Sequence, residues 1–142
     1  MLKSGENSIG LRTGERFYIV MACEDLGEAA QVGKQLSQVN NGALITYRRA
    51  EDVMLNCPSG RVALIILANS DDPETMGRIL SWMRHRWPCC PAVVIGETGG
   101  GDMEIAARKG GASYLTRPVS PQQWAGLVQH VLSTGTATVT AE

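Results

Sequence analysis

Apolar runs alternate with segments of helical periodicity along most of this chain. The continuous apolar runs Arg16–Ala22 and Val62–Ala68 predict buried strands. Val62–Ala68 is apolar throughout, so both of its faces must be covered, as at the centre of a parallel sheet. Three shorter runs predict further strands at Ala43–Tyr47, Ala92–Ile95 and Ser113–Thr116.

Helices are predicted between these strands, because apolar residues there recur at helical spacing. Asp25 and Glu28 have the spacing of a capping box, as do Ser120 and Gln123. Asp72 precedes a proline, which predicts an N-cap followed by proline at the first helical position. The predicted helices cover residues 25–39, 49–55, 72–87, 102–109 and 120–132.

Five strands alternating with five helices predict one fold class, an α/β doubly wound sandwich of three layers. Short crossover connections are right-handed, so the five-stranded sheet must be parallel. The predicted domain spans residues 16–132, between a flexible arm at 1–15 and a tail or linker at 133–142. In such a fold the functional cleft lies at the carboxyl ends of the strands.

Composition and net charge argue against several classes of function. The chain has 142 residues and a net charge of -1, which argues against nucleic-acid binding through bulk charge and against a basic membrane-surface segment. No apolar stretch approaches the length of a membrane span, and the N-terminus has no signal-peptide core, so a cytoplasmic location is expected. The cysteines lack metal-ligand spacing and are expected to be reduced: Cys23, Cys57, Cys89 and Cys90.

The predicted cleft carries mainly acidic side chains. A carboxylate cluster at the strand ends would suit Mg2+, although Asp25 and Asp72 are also explained as helix caps. Three further acidic residues are also explained as solvated loop charges, namely Glu24, Asp71 and Glu97. Gly99–Gly101 lacks the lysine of a phosphate-binding loop, so these glycines are expected to form a mobile loop. The candidate loop residues are Glu24, Asp25, Asp71, Asp72, Glu97, Asp102 and Arg117.

The segment Lys109–Ser120, KGGASYLTRPVS, resembles the receiver domain of two-component response regulators. The resemblance extends over about residues 16–132 and implies a flavodoxin-like (βα)5 fold. It places Tyr114 at the family's switch aromatic and Arg117 at its phosphate-contacting lysine. Pro118 falls on the proline whose preceding bond is usually cis.

The residues that carry out the family's chemistry are missing. The acidic pair that holds Mg2+ corresponds to Met21 and Ala22, and the phosphoacceptor aspartate corresponds to Ala68. The switch threonine or serine corresponds to Gly96, and Arg117 replaces the lysine. Phosphoryl transfer needs an acceptor oxygen, a metal and a cation. The resemblance therefore implies a pseudo-receiver that is not an enzyme and has no cofactor.

The leading hypothesis is a regulatory module that signals through protein contacts without phosphorylation. In the family, the face corresponding to residues 102–132 commonly docks partners or dimerises, and Tyr114 would anchor it here. The expected partner is another protein, an output domain or a second copy, with no direct contact to nucleic acid or membrane. Trp82 is expected at the rim of the core, and Trp124 within it.

Two alternatives remain open at this stage. One is an Mg2+-dependent receiver with a shifted acidic site, in which Asp71 or Asp72 accepts the phosphoryl group and Glu24 and Asp25 hold the metal. The other is a module that binds a small anion through Arg117, in the emptied pocket formed by Met21, Ala22, Ala68 and Gly96.

Overall fold

The computed structural model describes residues 16–36, 42–68 and 72–130. The predicted arm at 1–15, the tail at 133–142 and Asp71 lie outside these ranges. The strands are β1 (Phe17–Cys23), β2 (Gly42–Tyr47), β3 (Val62–Ala68), β4 (Ala92–Gly96) and β5 (Ser113–Thr116). The helices are α1 (Leu26–Leu36), α2 (Ala50–Leu55), α3 (Pro73–Arg86), α4 (Gly101–Lys109) and α5, described over 121–130.

The five strands form one parallel sheet in the order β2-β1-β3-β4-β5. This arrangement confirms the predicted doubly wound α/β fold. The apolar strands β1 and β3 lie side by side inside the sheet, and nearly all their residues are buried. The strand order reverses direction between β1 and β3, so their carboxyl ends flank the crevice where this fold class places its sites.

The core is divided by the sheet into two layers, because successive side chains of a strand point to opposite faces. On one face, Met21 and Ile66 pack in the same cluster as Val32 of α1 and Trp124 of α5. On the other face, the buried residues of β1 and β3 pack with those of α2, α3 and α4. Trp124 is 1% exposed, which confirms its predicted core position.

Helix starts follow the predicted capping residues. Asp72 caps α3 by accepting a hydrogen bond from the Thr75 amide at 2.7 Å, with proline at the first helical position. Ser120 and Gln123 form the complete capping box, with reciprocal bonds of 2.9 and 3.1 Å. The described part of α1 ends at Leu36, within the predicted range 25–39.

Trp82 is half-buried and meets Trp87 edge-on, with ring centroids 5.7 Å apart. This placement agrees with a position at the rim of the core. Trp87 itself was predicted inside α3 but is its C-cap, because the helix ends at Arg86. In the described part of the chain, no helix is long and apolar enough to cross a membrane.

Truncating a buried side chain of β3 should lower the free energy of unfolding much more than truncating an exposed leucine. Ile66→Ala should lower the free energy of unfolding by about 2–5 kcal/mol, because Ile66 is 1% exposed and its loss leaves a cavity. Leu55→Ala should change it by no more than about 0.5 kcal/mol, since Leu55 is 78% exposed. Urea unfolding of both variants checks the assignment of β3 as central, and equal losses would contradict it.

Candidate functional site

The candidate site lies where β1, β3, β4 and β5 end at the same edge of the sheet. Cys23 and Ala68 are paired as the last residues of β1 and β3. Gly96 and Thr116 are paired as the last residues of β4 and β5. Arg117 follows directly, and its bond to Pro118 is cis, as the sequence resemblance implied.

The Arg117 guanidinium is held by three parts of the chain. Its Nε and Nη2 donate to the two carboxylate oxygens of Glu28 at 2.8 and 3.2 Å. Its Nη1 donates to the Glu97 carboxylate at 2.9 Å, and Nη2 also donates to the Ala68 carbonyl at 2.7 Å. Each guanidinium nitrogen is therefore engaged by α1, by the loop after β4 or by the end of β3.

The two carboxylates differ in their exposure to solvent. The Glu28 side chain is 16% exposed and Arg117 28%, so their fork-like pair is mostly shielded from water. The Glu97 side chain is 73% exposed, so its ion pair with Arg117 is screened. The hydrogen bonds with Glu28 are the main reason that the pKa of Arg117 lies above its ordinary value. The cation is therefore permanent.

Cys23 lies beside this ion pair. Its Sγ donates to the Asp25 carbonyl at 3.1 Å and to Glu28 Oε1 at 3.5 Å. Burial raises the pKa of the Cys23 thiol to about 11, with a smaller contribution from the nearby Glu28 charge. The thiol is therefore protonated at neutral pH and behaves as a small, unreactive core group.

Gly96 and the Tyr114 side chain are packed closely together at the candidate site. A Cβ atom on Gly96 would collide with the Tyr114 hydroxyl and lie 2.8 Å from Cζ of its ring. The Tyr114 hydroxyl donates to the Glu97 carbonyl at 3.1 Å, and burial raises the pKa of that phenol. Glu97 therefore contacts Arg117 through its carboxylate and Tyr114 through its backbone.

The predicted pocket residues do not all reach this edge. Met21 and Ala22 are fully buried and belong to core layers on opposite faces of the sheet. Cys23, one residue further, pairs with Ala68 at the edge. The structure thus gathers Ala68, Gly96 and Arg117 around one point and leaves Met21 and Ala22 beneath it.

The predicted acidic residues have separate local roles. Asp25 Oδ1 accepts the backbone amides of Gly27 and Glu28, at 2.8 and 3.4 Å. Both oxygens of Asp72 bond to Thr75, and the bond from its backbone amide is the main reason that the pKa of Asp72 is lowered. Glu24 is exposed. Within residues 16–36, 42–68 and 72–130, no group of three His, Cys, Asp or Glu side chains could hold a metal ion.

Sequence reasoning missed the roles of Glu28 and Glu97. Glu28 was interpreted as the second half of a capping box, but its carboxylate turns to Arg117. Glu97 was interpreted as a solvated loop charge, and it is the second carboxylate on the same cation. The available signal was the arginine itself, since a half-buried guanidinium at strand ends needs anionic partners.

Similar solved structures are receiver domains. The BeF3-activated DrrB receiver domain matches with a TM-score of 0.69 and 17% identity, over 83% of this chain and 98% of that one. A response regulator from Thermotoga maritima matches with a TM-score of 0.70 and 15% identity, over 83% and 98%. The beryllofluoride-activated NtrC4 receiver domain dimer gives 0.69 and 14%, over 82% and 97%. Protein-family models and curated proteins gave no match. The chain therefore has the receiver fold.

Removing the guanidinium should destabilise the fold. Arg117→Met should lower the free energy of unfolding by about 1–3 kcal/mol, because Glu28 would keep a shielded charge without its partner. Arg108→Met is the matched control, since Arg108 pairs with Glu104 on the surface of α4 and is 63% exposed. That control should lose no more than about 0.5 kcal/mol. Equal losses in urea unfolding would show that the Arg117 cluster contributes no more than a surface pair.

Adding one methyl group at Gly96 should displace Tyr114. In Gly96→Ala the new Cβ occupies the place of the phenol hydroxyl, so the ring must turn outward and lose its bond to Glu97. We expect faster nitration of Tyr114 by tetranitromethane, located by peptide mass spectrometry. Gly101→Ala is the control, because a Cβ there meets nothing within 4 Å. Unchanged nitration of Tyr114 in Gly96→Ala would show that the added methyl group does not displace the ring.

Proposed function

We propose that this protein is a non-enzymatic, receiver-like signalling module that acts through protein contacts and is not controlled by phosphorylation. One observation supports this above the others. The guanidinium of Arg117, at the position where the resemblance places the phosphate-contacting lysine, is already engaged by Glu28, Glu97 and the Ala68 carbonyl. An incoming phosphoryl group would have to displace these partners.

The chemistry of the site supports the same proposal. Phosphoryl transfer requires an acceptor oxygen, a metal to neutralise charge and a free cation. Ala68 ends β3 with a methyl group, which cannot accept a phosphoryl group. The carboxylates of Asp25 and Asp72 are engaged at helix starts. The alternative with a shifted acidic site therefore needs Asp25 to leave its cap to hold the metal and, where Asp72 is the acceptor, Asp72 to leave its own.

The Glu28–Arg117 pair would replace the variable charge of a phosphorylation switch with a fixed one. In this proposal the chain's own carboxylates hold the cation at the strand ends in one arrangement. Glu97 extends that arrangement to Tyr114 through its backbone carbonyl. The conformation around β5 is then set by the sequence, and no modification is needed to reach it.

The proposed contact surface is the face formed by residues 102–132, as far as the described part extends. Tyr114 is half-buried there, and Ile105 on α4 is 55% exposed. An exposed isoleucine on α4 and a half-buried aromatic ring on β5 suit a protein partner, which includes an output domain or a second copy. The NtrC4 receiver, a structural neighbour, forms a dimer. We place the module in the cytoplasm, where its four free cysteines would stay reduced.

Intact mass spectrometry after incubation with Mg2+ and acetyl phosphate tests phosphorylation independence. We expect no added phosphoryl mass, because Ala68 offers no acceptor oxygen and, in the described part of the chain, no group of three His, Cys, Asp or Glu side chains could hold the metal. A receiver domain that keeps its acceptor aspartate serves as the positive control in the same donor mixture.

The double variant Asp71→Ala/Asp72→Ala separates the alternatives. A base-labile adduct that requires Mg2+ and disappears in this variant would overturn the proposal and identify a relocated acceptor. An adduct that persists in the variant would also overturn it and place the acceptor elsewhere. Unmodified mass in both proteins would support phosphorylation independence.

A further inference from the structure

A cleft between α3 and α4 lies away from the Arg117 cluster. It has a volume of about 280 Å³, and its walls come from one side of each helix. Half of its lining residues are small, namely Gly77 and Ser81 on α3, Ala106 on α4 and Gly110 at the end of α4. The helices are in direct contact near one end, because a Cβ on Gly110 would lie 2.7 Å from Leu80. The walls therefore belong to packed helices.

The two ends of this cleft carry opposite charges. Arg84 and Lys109 line the end formed by the last turns of α3 and α4, whereas Glu74 lines the end at the first turn of α3. All three side chains are exposed. Within the described part of the chain none of them forms an ion pair. Their charges are therefore available to a molecule lying in the cleft.

We propose that the α3–α4 cleft binds a peptide segment of a partner protein, with an acidic residue at the Arg84–Lys109 end and a basic residue near Glu74. The charges favour this occupant because a peptide can carry both signs within a few residues. A nucleic-acid strand is negative along its whole length, so Glu74 would repel part of it. An arginine and a lysine that line the same end suit a carboxylate.

The proposal is independent of the proposed function. It uses no residue of the Arg117 cluster, and its cleft lies on α3 and the α3-facing side of α4. It would stand if the protein proved to be phosphorylated, and it would fall without affecting the role of Arg117. The cleft shares Ala106, Lys109 and Gly110 with the range 102–132 but uses neither Tyr114 nor Ile105, and it extends the contact surface onto α3.

Selection from a random peptide library tests whether the cleft binds a peptide. A displayed library of random short peptides is selected on the full-length chain, and the enriched peptides are synthesised with a fluorescent label. We expect enriched sequences to carry an acidic and a basic residue in a fixed order. Their binding, measured by fluorescence polarisation, should weaken as salt rises because it depends on charge pairs.

Two kinds of variant separate the cleft from general charge attraction. Arg84→Glu and Lys109→Glu should each weaken binding about tenfold, whereas Arg78→Glu should not, since Arg78 shares α3 but does not line the cleft. Gly77→Gln keeps every charge and blocks the cleft. A Cβ on Gly77 meets nothing within 4 Å and glutamine favours helix, so this variant should fold and lose binding.

Three results would overturn the proposal. Selection that enriches no acidic peptides would show that the cleft has no such ligand. Peptides that bind Gly77→Gln as well as the wild type would place their site outside the cleft. A labelled single-stranded oligonucleotide that binds more tightly than the peptides, and depends on Arg84 but not on Gly77, would indicate a general polyanion surface.

Discussion

The guanidinium of Arg117 joins chain segments that the sheet alone would leave separate. The end of β3, the first turn of α1 and the loop after β4 all contact this side chain. Because Glu28 is mostly shielded from water, neither its charge nor that of Arg117 is well tolerated alone. The arrangement of loops at this edge therefore depends on both partners being present, and Cys23 and Tyr114 are positioned around it.

This dependence gives a physical meaning to the residues that the sequence resemblance places at the family's phosphorylation positions. Ala68 has no side-chain oxygen, so its backbone carbonyl is the group that meets the cation. Gly96 has no side chain, so the Tyr114 hydroxyl occupies the space beside it. Under the proposed function, these substitutions form one consistent set.

The fold could be predicted from the sequence because its signals are local. The apolar run of β3 and the capping residues of α3 and α5 each lie within a few neighbouring positions. The site could be predicted only in part. Arg117 was identified, but its partner Glu28 is 89 residues away and Glu97 is 20 residues away. Periodicity carries no information about pairs so distant, and each glutamate also had an adequate local explanation.

The parallel sheet has a further consequence through its helices. Every helix follows a strand, so all of them begin at the same edge of the sheet. Acidic residues occupy the first turns of α1, α2, α3 and α4, and basic residues occupy the last turns of α1, α3 and α4. Each such charge interacts favourably with the dipole of its own helix. The side-chain charges have the opposite sign to the helix ends beside them, so they offset much of the field that these parallel helices would otherwise add along the strand direction.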